Sequence, residues 1–187
     1  MNTPNKLTVF RMLLTPVFLL VFLSSIPHSS FWGALIFAIA SVTDAIDGRL
    51  ARSRNLITVF GKLADPVADK MLTTAALLAF MQKGLCSIWI IVIILTREFA
   101  VTSVRLVASA EGVIIPANIW GKLKTASQMI FMLIIMLMCG FAEAGLWQGS
   151  AHLALISNIL MSITAALALV SGMIYILKSR DYVDYTK

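Results

Sequence analysis

Six apolar runs, at roughly 7–26, 31–52, 66–83, 87–109, 120–140 and 152–178, take up most of this chain. Each is close to the ~20 residues that a helix needs to cross the hydrocarbon of a bilayer. Lipid offers the backbone no hydrogen-bond partners, so such runs close their N–H and C=O groups within helices and do not form open strands. The expected fold is therefore all-α and integral to the membrane, with six transmembrane helices in a single domain spanning 1–187. A hydrophobic content of 59% against 13% charged residues, with a mean hydropathy of +0.91, excludes an ordinary soluble globule.

A net charge of +6 over 187 residues could point to nucleic acid, but the placement of the cations points elsewhere. If the six runs alternate across the bilayer, Lys6, Arg11, Arg49, Arg52, Arg54, Lys62, Lys70, Arg97, Arg105, Lys122, Lys124, Lys178, Arg180 and Lys187 fall on one side or on the approach to it. Lys83 alone lands opposite. Positive residues mark cytoplasmic segments, so both termini and the turns at 53–62 and 111–118 are expected in the cytoplasm, with no nucleic-acid partner. The first run follows a short basic stretch as a secretory signal would. It lacks an A-x-A-like cleavage site, and Asn5, Thr8 and Arg11 read as part of a retained site. Pro16 predicts a kink in the first helix, and Pro66 predicts that the third begins near Asp65. Cys86 and Cys139 read as packing residues and not as a disulfide.

Within this apolar chain, Asp44, Asp47, Gly48, Ala51, Arg52, Gly61, Asp65 and Asp69 form the pattern D-x2-D-G-x2-A-R-x8-G-x3-D-x3-D. Asp44, Asp47, Gly48 and Ala51 share one helical face, and Asp65 and Asp69 make a second acidic face at the start of the next helix. Four carboxylates so placed repel one another and resist burial unless cations neutralise them. Hard oxygen ligands suit Mg²⁺ or Mn²⁺, which keep open positions for water and phosphate oxygens. Gly48, Ala51 and Gly61 remove side-chain bulk where a ligand or backbone comes close. Two other readings are solvated helix caps, which account for Asp65 but not for all four, and an ion or proton pathway.

With all eight positions filled, the pattern resembles the signature of the CDP-alcohol phosphotransferase family. The resemblance implies six helices, a catalytic site opening to the cytoplasm and two bound Mg²⁺ or Mn²⁺ ions. It implies transfer of a phosphatidyl group from CDP-diacylglycerol to a hydroxyl acceptor, with release of CMP. It also implies residue roles. Asp44, Asp47, Asp65 and Asp69 belong to the metal site, with Asp69 acting as general base on the acceptor hydroxyl. Asp47, Gly48, Ala51, Arg52 and Gly61 border the CDP donor, and Asn5 and Thr8 are candidates to border its headgroup. A homodimer in a bacterial plasma membrane, in contact with membrane lipid, is implied as well. His28 and His152 fall on the outer side, away from this chemistry.

The acceptor is addressed by a second group of cations. Arg97 lies inside the fourth run, Arg105 eight residues on shares nearly its face, and Lys122 and Lys124 open the fifth. A cation at bilayer depth costs about 2.5–3.5 kcal/mol on insertion scales, so Arg97 is expected to face a polar cavity or a partner. Glu98 is expected to diverge from it by about 100°. Arginine forks match phosphate oxygens, so Arg97, Arg105, Lys122 and Lys124 are candidate ligands for an acceptor that is a phosphate ester. sn-Glycerol 3-phosphate is the simplest such alcohol; serine, an inositol phosphate and phosphatidylglycerol are the alternatives. Asn5-Lys-Leu-Thr8-x2-Arg11, Asp65-Pro66-x2-Asp69-Lys70, Arg97-Glu98 with Arg105, and Gly121-Lys122-x-Lys124-Thr125 extend the resemblance toward members that act on glycerol 3-phosphate, while the last two helices are generically apolar.

Overall fold

The computed structural model describes residues 3–53, 59–110, 119–147 and 152–179; within its helices the side chains of 3–5, 44–53, 59–66, 69, 110 and 178–179 are outside the description. Among the described residues there are six helices and no strand: α1 (Thr3–Phe22), α2 (Ser29–Ser53), α3 (Val59–Gln82), α4 (Ile88–Ala110), α5 (Ile119–Glu143) and α6 (Leu153–Ser179). Their limits follow the apolar runs closely, with one exception. The third helix starts at Val59 and not near Asp65, so Pro66 lies within it. A proline inside a helix loses one backbone hydrogen bond and crowds the carbonyl four residues earlier, but with Leu63 and Ala64 ahead of it the helix continues across Pro66. α1 likewise runs unbroken through Pro16.

α5 and α6 are long and apolar enough to cross a membrane, and Ser29–Thr43 of α2 is a shorter apolar stretch. Large apolar side chains also cover the outside of the helices, among them Leu13, Leu20, Trp89, Leu155, Leu169 and Met173. Helices apolar on their outer as well as their inner faces suit lipid, not water.

The chain divides into two compact units. The first comprises Met1–Gly84 and Met132–Leu153, hence α1, α2, α3 and the C-terminal part of α5. Its core is aromatic: Phe18 stacks on Phe22 at 5.5 Å between ring centroids, meets Phe37 of α2 at 5.9 Å, and Phe22 meets Phe80 of α3 edge-on at 5.9 Å. Phe22 presses so closely on α2 that a Cβ at Gly33 would lie 2.7 Å from its Cδ2. α1 thus packs on both helices that carry the aspartates.

At the other end of this unit Glu143 closes α5 on the start of α2. Its Oε2 accepts from the Ser30 backbone N–H at 3.1 Å and its Oε1 from the Ser30 hydroxyl. The carboxylate therefore occupies the positive, unsatisfied N-terminal end of α2. Lys83 Nζ lies 3.5 Å from Glu143 Oε1 and 4.3 Å from the Phe22 ring centroid. The cation that stands apart in the sequence is thereby paired. α5 ends in a Schellman turn in which Gly145, at φ +67°, adopts the left-handed conformation and Leu146 N–H donates to Phe141 C=O at 3.0 Å.

The second unit comprises Leu85–Phe131 and Ala154–Lys187: α4, the N-terminal part of α5, and α6. Here α4 and α6 run parallel. The Ser87 N–H at the head of α4 donates to Asn158 Oδ1 at 2.9 Å, which satisfies one orphan donor of the helix N-terminus. Ile91, Ile94, Val101 and Ala108 of α4 are buried, as are Met161, Ala165 and Ala168 of α6. Cys86, in the second unit, and Cys139, in the first, are buried thiols.

Candidate active site

Asp44, Asp47, Gly48, Ala51 and Arg52 lie on the last turns of α2, and Gly61, Asp65 and Asp69 on the first half of α3. The side chains of the four aspartates and of Arg52 are outside the described residues, as is that of Asn5 on α1. Among the described residues no group of three or more His, Cys, Asp or Glu side chains could hold a metal.

The backbone still constrains where the pattern sits within the first unit. Phe22 opposite Gly33 and Phe18 opposite Phe37 set an antiparallel register between α1 and α2. At equal rise along both helices, that register brings the backbone of Arg11 level with Asp44 and that of Thr8 level with Asp47. Phe22 opposite Phe80 sets a parallel register with α3, which brings Arg11 level with Asp69. Thr8 and Arg11 are both fully buried on α1. A buried guanidinium requires a polar surrounding, so this end of the unit is polar inside an apolar shell. The donor set of the pattern is oxygen alone, with neither thiolate nor imidazole, and that chemistry fits Mg²⁺ or Mn²⁺.

The cations proposed for the acceptor lie in the second unit. Arg97 Nη1 donates to Glu98 Oε1 at 3.2 Å, and Lys124 Nζ of α5 donates to the same oxygen. The side chains of Lys124, Arg97 and Glu98 are 1%, 11% and 23% exposed, so the network is largely withdrawn from solvent. The expectation that Glu98 diverges from Arg97 is corrected here. The 100° step separates Cβ directions, whereas the arginine side chain is long enough to turn back to its neighbour's carboxylate.

Arg97 is threaded between two glycines. A Cβ at Gly121 of α5 would lie 3.4 Å from its Nη2, and one at Gly172 of α6 would lie 3.0 Å from its Cγ. Its Nη2 donates to Ser171 Oγ at 3.0 Å, while the Ser171 hydroxyl gives its proton to the Ala168 carbonyl at 3.1 Å. One and two turns further along the same faces, Arg105 Nε donates to Tyr175 Oη at 3.2 Å, and its guanidinium carbon sits 5.3 Å from the ring centroid. Lys122 is exposed and makes no ion pair among the described residues. The structure therefore joins Arg97 to Lys124 through Glu98, sets Arg105 on Tyr175, and leaves Lys122 outside both. The sequence reading set Glu98 apart from Arg97, and it missed Ser171 and Tyr175 altogether. Ser171 and Tyr175, four apart in an otherwise apolar run, were the available signal.

A family model for CDP-alcohol phosphatidyltransferases matches residues 1–176. The chain belongs to this family. Its members are membrane proteins that generally use divalent metal ions, in keeping with the apolar exteriors of α5 and α6 and with the oxygen donor set. Among curated relatives, the chain is 40% identical to the CDP-diacylglycerol–glycerol-3-phosphate 3-phosphatidyltransferase of Bacillus subtilis (strain 168), over 78% of this chain and 86% of the relative. It is 34% identical to the enzyme of the same name from Rickettsia bellii (strain RML369-C), over 97% of each. It is 36% identical to a probable phosphatidylglycerophosphate synthase of Mycobacterium tuberculosis, over 95% of this chain and 81% of the relative.

Proposed function

We propose that this chain transfers the phosphatidyl group of CDP-diacylglycerol to sn-glycerol 3-phosphate, giving phosphatidylglycerophosphate and CMP. The observation that carries the reading is the 34–40% identity, over most of the chain, to relatives named for that reaction. Asp44, Asp47, Asp65 and Asp69 would hold Mg²⁺ or Mn²⁺. When bound, the ions withdraw charge from the phosphorus under attack and stabilise the departing CMP.

The remaining work falls to the protein's own groups. Asp69 takes the proton of the acceptor's free hydroxyl; the hydroxyl oxygen forms a new bond to the lipid-side phosphorus as the bond to CMP breaks. Asp47, Gly48, Ala51, Arg52 and Gly61 border the nucleotide donor, with Asn5 and Thr8 beside them. Arg97, Arg105, Lys122 and Lys124 draw the phosphate of the acceptor. Support for a phosphate-bearing acceptor comes from charge: Arg97 and Lys124 share a single carboxylate oxygen, and Arg105 forms no ion pair among the described residues. A zwitterion such as serine has no use for so many forked or ammonium donors.

The positive residues along the chain support six spans with both termini and the site in the cytoplasm, in a bacterial plasma membrane, and family resemblance supports a homodimer with one site per protomer. The test is CMP release from CDP-diacylglycerol by the purified full chain with Mg²⁺ or Mn²⁺, acceptors being added one at a time. CMP with glycerol 3-phosphate is expected. CMP only with serine, an inositol phosphate or phosphatidylglycerol overturns the acceptor, and none with any of them favours cation transport.

A further inference from the structure

We infer that Arg11 of α1 is the resident cation of the aspartate site, a positioning role that rests on the reading of Asp44, Asp47, Asp65 and Asp69 as metal ligands. Its guanidinium pairs with carboxylates of that pattern, holds them together, and sets how strongly they take a divalent ion.

Arg11 is the one fully buried cation among the described residues of the first unit. Thr8, Arg11, Thr15, Phe18 and Phe22, alternately three and four residues apart, form a single buried stripe along α1. Phe18 and Phe22 meet Phe37 of α2 and Phe80 of α3, so Arg11, on the same stripe, enters the groove between these two helices. By the registers those contacts set, its backbone is level with Asp44 on one side and Asp69 on the other. Helical side chains lean toward the N-terminus of their own helix, which carries the guanidinium on toward the level of Asp47 and Asp65.

A buried guanidinium is tolerated only with an anion beside it. The first unit contains five acidic residues: Asp44, Asp47, Asp65, Asp69 and Glu143. Glu143 is bound to Ser30 and to Lys83, which lies over the Phe22 ring. Phe22 is eleven residues, or about 16 Å of helix, from Arg11. The anions left for Arg11 are the four aspartates.

Charge gives this pairing a function. Four ionised carboxylates carry −4, and Arg11 brings that to −3 before any dication arrives. Repulsion that would spread the two acidic faces apart in metal-free protein is thereby partly offset from within, and the forked donors fix the orientation of the carboxylates they hold. Arginine stays protonated at every accessible pH, so it does not step aside by losing a proton. Each entering dication meets a fixed positive charge beside its ligands. Arg11 therefore keeps the site assembled and lowers its affinity for metal.

The test is Mn²⁺ binding to the purified full chain in detergent micelles, followed by electron paramagnetic resonance of the free ion, with thermal unfolding in EDTA and in Mn²⁺ alongside. Arg11→Met, similar in length and uncharged, is expected to tighten Mn²⁺ binding about 10-fold, because a like charge is removed from beside the ions. It is also expected to melt below the unaltered chain in EDTA and to gain more from added Mn²⁺. Arg11→Gln, a second neutral variant, is expected to shift binding in the same direction and decides the matter if the methionine variant does not fold. Arg11→Lys keeps the charge and should bind Mn²⁺ within about threefold of the unaltered chain, a rescue that packing alone would not produce. Mn²⁺ binding that is unchanged or weaker in the neutral variants overturns the proposal while the metal reading stands. Unchanged Mn²⁺ binding with weakened binding of CMP overturns it too, and assigns the guanidinium to the donor. If the unaltered chain binds no Mn²⁺, the metal reading falls and the proposal with it.

Discussion

Replacing Glu98 with Gln separates the two cations of the second unit from their shared counter-charge. Glu98 Oε1 accepts from Arg97 Nη1 at 3.2 Å and from Lys124 Nζ, and the lysine side chain is only 1% exposed. Removing one partner of a fully buried pair costs about 3–5 kcal/mol, because the remaining charge is left uncompensated. Glu98 is 23% exposed, and the amide oxygen of Gln still accepts one hydrogen bond, which together reduce the loss to about 2–3 kcal/mol. For a chain of this size that corresponds to a fall in melting temperature of about 4–12 °C. The assay is thermal unfolding of the full chain in detergent, followed by tryptophan fluorescence. Adding Lys124→Met to Glu98→Gln should return part of the stability, since no ammonium then lies against the neutral amide. A shift below about 1 °C in Glu98→Gln, or a double variant less stable than the single one, would refute the network.

Gly33→Ala drives a Cβ to 2.7 Å from Phe22 Cδ2 and 2.9 Å from Phe22 Cβ, atoms too near the α1 backbone to swing aside; a loss of about 1–3 kcal/mol is expected by thermal unfolding, and an unchanged melting temperature counts against the α1–α2 packing. Asp69→Asn is expected to abolish turnover while largely sparing binding of CDP-diacylglycerol, whereas Asp44→Asn and Asp65→Asn also weaken metal binding; equal residual activity in all three contradicts these roles. Burial pushes the Cys86 thiol up to about 11, so about 0.1% of it is thiolate at pH 8. Iodoacetamide at that pH should leave Cys86 unmodified until the chain is denatured, and rapid native labelling would refute its burial.

Much of the fold is legible because long apolar runs close their backbone hydrogen bonds within helices, and their lengths fix most helix ends to within a few residues. α3 is the instructive exception. Pro66 fits the first turn of a helix, but a proline can also be passed over, and the residues from Val59 onward extend the helix ahead of it. The aspartate pattern is legible for a different reason: its residue types and spacings carried the resemblance to the family whose model matches the chain. Partnerships between distant segments are not legible in that way. Nothing near Lys83 in the chain announces Glu143, and the pairing depends on the end of α5 meeting the start of α2. Ser171 and Tyr175 were hidden by an apolar context in which hydroxyls usually bond within their own helix, and their role appears only once Arg97 and Arg105 face them.

The central claim is that the carboxylates of α2 and α3 together hold divalent metal. Titration of the purified full chain with Mn²⁺, with free ion followed by electron paramagnetic resonance, tests it without reference to turnover. The account predicts two bound ions per chain, displaced by Mg²⁺ and weakened in both Asp44→Asn and Asp65→Asn. Binding that is absent, or that is identical in the two variants and the unaltered chain, would contradict it.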